Sequence, residues 1–198
     1  VTASRPRTVT ALRERRRGLV AVELDGEPWR VVPADAVVRA GLAVGRPLDR
    51  ERARRLAQAL RRAHAVARAT RALGPRDRTR RDLEQRLTRA GVPPAAREEA
   101  LTSLEEAGLV DDARVARSRA ETLARRGFGD AAIRSDLARQ GVAGDAAREA
   151  VAGLEPEQER ARRLVASTGA DARALRRLAA RGFDPETVRE LASFADTE

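Results

Sequence analysis

Apolar positions along the chain follow two periods. Leu19-Val-Ala-Val-Glu-Leu24 alternates with period two, which places Val20, Val22 and Leu24 on one face of a strand. Asp25-Gly26 comes next, a dipeptide favoured by the two-residue hairpin turn whose central positions both need positive φ. Glu27-Pro-Trp-Arg-Val-Val32 returns as the next strand, and Pro28, having no amide hydrogen, marks it as an edge. An extended run over Thr8–Leu12 can add one more strand, so residues 7–32 predict a two- or three-stranded sheet. A hairpin alone is marginal in water, so this one must dock on the helices that come after it.

From Pro33 onward the period becomes helical. A short helix over Pro33–Ala40 stops at Gly41. Asp49 caps a long helix reaching Leu73, with Leu56, Leu60 and Val66 along its apolar stripe, and Gly74-Pro75 ends it. An internal repeat then appears. Arg81-Asp-Leu-Glu-Gln-Arg-Leu-Thr-Arg-Ala-Gly-Val92 resembles Ser135-Asp-Leu-Ala-Arg-Gln-Gly-Val142, and each is followed by a second helix, over Ala95–Leu104 and Asp145–Leu154. A third copy reads Leu175-Arg-Arg-Leu-Ala-Ala-Arg-Gly-Phe183, followed by a helix over Pro185–Phe194. One further helix precedes each copy: Asp49–Leu73, Asp112–Arg126 and Glu157–Ser167.

The pattern therefore predicts a mainly α fold, a tandem array of three three-helix modules with a small N-terminal β-hairpin or sheet region. Residues 1–6 form a flexible tail and 7–48 the hairpin plus short helix. Residues 49–110, 111–155 and 156–198 form the modules. Each module is too small to bury a core well alone, so stacking on a neighbour completes it, in an elongated array with a concave side.

Composition narrows what such an array can do. Of 198 residues, 42% are hydrophobic but only 2% aromatic, so the cores are built from Ala, Leu and Val, which suit close-packed helices. The absence of Cys excludes disulfides and thiolate metal sites, and a single His removes most imidazole chemistry. No apolar run is long enough to span a membrane and no signal peptide is visible, which points to the cytoplasm. The net charge of +10 points to a polyanionic partner. All 40 basic residues are Arg, with no Lys, as GC-rich coding would impose, so their number says less than their placement. Residues 1–81 hold 21 Arg against 8 acids, a net of +13, while 82–198 hold 19 against 22, a net of −3.

Candidate chemistry is sparse. His64 has no companion His, Cys or carboxylate pair and reads as a structural or solvated residue. Asp111-Asp112 sits where a helix N-cap belongs, and capping explains it better than a metal. Gly127-Phe-Gly129 has neither the spacing nor the preceding strand of a phosphate-binding loop and reads as a helix stop. Trp29 is expected to anchor the hairpin rather than to stack on a base. No set of catalytic parts, cofactor site or metal site is assembled, so the protein is expected to work by binding. Arg13, Arg15, Arg16 and Arg17 form one basic cluster and Arg76, Arg78, Arg80 and Arg81 another, both suited to phosphate contacts.

The stretch Leu104-Glu-Glu-Ala-Gly-Leu-Val-Asp-Asp-Ala-Arg-Val-Ala116, with Arg125-Arg-Gly-Phe-Gly129, Ile133-Arg-Ser-Asp-Leu137 and Gly141-Val142, resembles the RecX family. Arg78-Thr-Arg-Arg-Asp-Leu83 is similar to that family's entry to its first repeat. The resemblance covers about residues 50–195; Val115 departs from it, standing where an aromatic is usual. It implies a regulator of the RecA recombinase, commonly an inhibitor. Such proteins bind RecA–single-stranded-DNA filaments and alter ATP hydrolysis, strand exchange and co-protease activity. The expected filament-contact residues are Arg76, Arg78, Arg80, Arg81, Arg125, Arg126, Arg134 and Arg139, carried by a monomer. A general nucleic-acid-binding repeat protein and a protein-binding helical scaffold are the alternatives.

Overall fold

The computed structural model describes residues 6–74, 77–168 and 171–195. The chain divides into two compact units, one of residues 1–75 and 84–107, the other of 76–83 and 108–198. The expected tail falls almost wholly outside the described residues, as do Pro75 and Arg76.

In the first unit, β1 (Val9–Arg15), β2 (Leu19–Leu24) and β3 (Glu27–Pro33) form an antiparallel sheet in the order β1-β2-β3. Asp25 and Gly26 take φ of 54° and 86°, as the turn requires. Pro28 lies on an edge strand, where its missing donor is harmless. One sheet face carries the buried Val9, Val20, Val22, Leu24 and Val32. These pack with Ala36, Val37 and Ala40 of α1 (Ala34–Ala40), Leu42, and Leu56 and Ala59 of α2 (Arg50–Leu73). Each fully buried Val or Leu is worth about 1.5–3 kcal/mol, and this docking rescues an otherwise marginal sheet. Trp29 packs against the same cluster, as the anchoring role requires.

Asp49 caps α2 by accepting from the Arg52 amide at 2.8 Å. The buried stripe of α2 is Leu56, Ala59, Ala65 and Ala69, whereas Leu60 and Val66 are half-buried. Small residues thus carry most of the contact, which lets α4 (Pro94–Glu106) approach with Ala96, Ala100, Leu101 and Leu104. Arg62 ties this unit together, reaching Asp35 at 3.0 Å and Ser103 Oγ at 2.6 Å. The division between the units falls within α3 (Arg80–Arg89).

The internal repeat is visible as a repeated helix stop. Gly91, Gly141 and Gly182 all take positive φ, at 72°, 82° and 77°. In each case the next amide reaches back to a leucine carbonyl: Val92 to Leu87, Val142 to Leu137 and Phe183 to Leu178, at 3.0–3.2 Å. This left-handed ending satisfies carbonyls that the helix leaves over and turns the chain into its next helix. Phe128 makes the same bond to Leu123 after Gly127, so that stretch is a helix stop.

In the second unit, α5 (Asp112–Arg125), α6 (Asp130–Arg139) and α7 (Gly144–Ala152) enclose a core that includes Ala116, Ala120, Leu123, Ile133, Leu137 and Val151. A second core, formed by Ala161, Val165, Leu178, Phe183 and Leu191, lies among α8 (Glu157–Thr168), α9 (Ala172–Ala180) and α10 (Pro185–Ala195). Main-chain bonds join the two sets of helices. Gly129 donates to the Arg181 carbonyl at 2.9 Å and Ala131 to that of Gly182 at 3.2 Å. The Glu157 carboxylate accepts from the amides of both Asp130 (2.6 Å) and Asp184 (3.1 Å). Arg160, 7% exposed, donates to the carbonyls of Phe128 and Glu155, pairs with Asp130 and lies over the Phe183 ring.

Candidate anion-binding groove

The groove starts with spacing along α5 and its C-cap, Arg126. Arg119 and Arg126 are seven residues apart, two helical turns, and so share a face. Arg139 at the end of α6 comes to the same place. With Leu123, Phe128, Ala132, Ser135 and Asp136, these arginines line a cleft of about 350 Å³.

Asp136 organises the groove. It accepts from Nε and Nη2 of Arg119 at 2.7 and 3.2 Å, and from Nη2 of Arg139 at 3.0 Å. Nη1 of Arg139 donates to Ser135 Oγ at 3.0 Å. The Arg119 bond, more than the charge of Arg139, holds the Asp136 carboxyl below its ordinary value of 3.8, against a desolvation effect that pushes it up. Asp136 thereby draws two long side chains to one carboxylate. Arg126 is exposed, with its guanidinium 5.8 Å from the centre of the Phe128 ring and no carboxylate partner among the described residues. Arg181 approaches the same ring at 5.9 Å. Three guanidiniums against one carboxylate leave the groove electropositive.

The other expected contact residues lie elsewhere. Arg78, 11% exposed, pairs with Asp82 at 2.8 Å. The Arg80 amide donates to Asp112 Oδ1 at 2.8 Å, and the buried Thr79 donates its hydroxyl to the Gln140 carbonyl. Arg81 lies across Gly141, where an added Cβ would fall 2.7 Å from its own. Residues 78–81 thus help hold their unit together. Arg125 sits beside Glu121 at 3.7 Å, lining a separate cleft with Leu154 and Leu164. Arg134 lines another, among Asp130, Glu157, Glu186 and Glu190, whose charges oppose an anion. In the N-terminal cluster, Arg13 pairs with Glu23 at 2.9 Å, while Arg15, Arg16 and Arg17 are exposed around a turn in which Arg17 takes φ 63°.

Asp111 caps α5 by accepting from the Arg114 amide at 2.9 Å, which lowers its pKa. Asp112 instead serves the start of α3, through the Arg80 amide. His64 is exposed on α2. Among the described residues, no group of three or more His, Cys, Asp or Glu could hold a metal ion, and no helix is long and apolar enough to cross a membrane.

Fold and groove together define a helical-repeat protein with an electropositive cleft between α5 and α6. Residues 65–104 match the family model of the first three-helix domain of RecX, and residues 111–151 match that of the second. The regulatory protein RecX of Stenotrophomonas maltophilia strain R551-3 is 34% identical over 139 residues, 65% of this chain and 85% of that protein. That of Halorhodospira halophila is 37% identical over 140 residues, 66% of this chain and 87% of its own. A crystal structure of regulatory protein RecX superposes with a TM-score of 0.82 at 23% identity, covering 95% of this chain and 99% of that one. RecX from Lactobacillus salivarius gives 0.61 at 18% identity, over 70% of this chain and 98% of its own; these two likenesses are of fold. The chain belongs to the RecX family.

Proposed function

We propose that the protein regulates RecA by binding RecA–single-stranded-DNA filaments, lowering ATP hydrolysis, strand exchange and co-protease activity without catalysing a reaction itself. The observation that carries this reading is the extended similarity to proteins named regulatory protein RecX, across 85–87% of their lengths. The physical design supports it. Linked modules with basic faces make several weak contacts at once, and each raises the effective concentration of the next. Site and partner meet in the cytoplasm, where a monomer can engage the filament.

The test is RecA-dependent ATP hydrolysis on single-stranded DNA with increasing amounts of the full chain. The rate is expected to fall. An unchanged rate and filament length at every ratio would sink the proposal. Binding to naked DNA, free RecA and the assembled filament separates the rivals: a general nucleic-acid binder shows no preference for the filament, and a protein-binding scaffold has little affinity for naked DNA.

A further inference from the structure

The groove between α5 and α6 has a definite donor arrangement. Asp136 occupies the Nε and Nη2 edge of Arg119, the edge that would otherwise take a planar carboxylate in a two-pronged bond. What remains is Nη1 of Arg119, Nε of Arg139 and the whole guanidinium of Arg126. None of these has a further partner among the described residues. Arg119 and Arg139 thus offer one free donor group each and Arg126 a whole guanidinium, approaching from three side chains. Such a set suits an acceptor with oxygens in tetrahedral directions better than a flat one. The cleft, about 350 Å³, has room for a sugar-phosphate unit.

We propose that this groove is a phosphodiester site that holds the backbone of a single-stranded nucleic acid, with Arg119, Arg126 and Arg139 as ligands and Asp136 as a positioning residue. The inference deepens the regulator reading and rests on it for its biological setting. It assigns nucleic-acid contact to the second module, away from residues 78–81, where Arg78 pairs with Asp82, Thr79 with the Gln140 carbonyl and the Arg80 amide with Asp112. Recognition here is of the backbone, so the site is indifferent to base sequence.

The test uses the full chain and a fluorescein-labelled oligothymidylate, without RecA, read by anisotropy over a range of salt concentrations. Replacing Arg119, Arg126 and Arg139 together by Ala is expected to weaken binding about ten-fold or more, and to reduce the salt slope by about 0.7 for each phosphate no longer neutralised. A control removes the same charge from exposed positions outside the groove, as Arg148→Ala, Arg173→Ala and Arg189→Ala together. It is expected to change affinity by no more than about two-fold. Arg126→Ala alone, which removes no ion pair, keeps the test independent of folding and is expected to weaken binding several-fold.

Asp136→Asn provides a further check. Charge counting predicts tighter binding when a carboxylate is removed, whereas loss of positioning predicts weaker binding. Equal loss in the groove and control triples, tighter binding by Asp136→Asn, or unchanged binding by Arg126→Ala would each overturn the proposal. So would a groove triple that keeps oligothymidylate but loses a polyglutamate peptide. RecA inhibition that survives such a result leaves the regulator standing and removes only the groove. Binding in the groove without any effect on RecA does the reverse.

Discussion

Gly129 and Gly182 meet backbone to backbone: a Cβ on Gly129 would fall inside the Gly182 carbonyl group. Gly129 itself has an ordinary φ of −79°, so the need for glycine there comes from its neighbour and not from its own torsion. Gly129→Ala should therefore lose about 1–3 kcal/mol or more through overpacking. Gly144→Ala, at an open position of ordinary φ at the start of α7, should gain about 0.4–1 kcal/mol through the unfolded chain. Urea denaturation of the two variants checks the contrast; equal effects would contradict the close approach.

Arg160 is a buried cation with every edge in use. Arg160→Met removes its charge from Asp130 and leaves two carbonyls without their donor. The expected loss is about 3–5 kcal/mol, as when one member of a buried pair is removed. Arg160→Lys should recover only part of that, since an ammonium cannot span all three partners. Chemical denaturation of both variants decides it.

Much of this was legible in the sequence, and the limits have a physical cause. The Asp25-Gly26 turn, the Asp49 cap and the glycine stops are local: each depends on residues within one or two turns. The repeat followed from those stops. Sequence does not single out Arg119, although its spacing from Arg126 is readable there, because only the packing of α6 on α5 brings Asp136 and Arg139 to it. The reach of Asp112 to the Arg80 amide was equally hidden, since it spans 32 residues. That the Arg78 side chain is nearly buried against Asp82 is hidden for the same reason, since sequence does not show what a long side chain meets.

Asp136 makes stability depend on acid. Its folded pKa lies below the ordinary 3.8, so the unfolded chain binds the proton first as pH falls. The stabilisation is complete well above that value and is lost as pH drops through the lowered one. The difference in thermal midpoint between the native chain and Asp136→Asn should be full at neutral pH and close in strong acid. A gap constant down to pH ~2 would show that the carboxylate is not coupled to folding.

Leu137 has no exposed surface and belongs to the α5–α7 core. Leu137→Ala should cost about 2–5 kcal/mol, the range for a cavity left at a buried leucine. Hydrogen exchange should show the loss first in α6, and protection unchanged there would argue against that core.

The seam between the last two sets of helices has a consequence for how such a chain can gain or lose copies. Were it held by side chains alone, a copy could be deleted and the exposed patch repaired by a few surface changes. Here the amides of Gly129 and Ala131 find main-chain carbonyls at Arg181 and Gly182, while the Asp130 amide and the Phe128 carbonyl are met by the side chains of Glu157 and Arg160. Cutting the chain before Glu157 would remove all four partners from the head of α6, and no side-chain substitution restores the two main-chain ones, to Gly129 and Ala131. The final copy is therefore not a bead on a string but part of its neighbour's wall, and the two should melt as one.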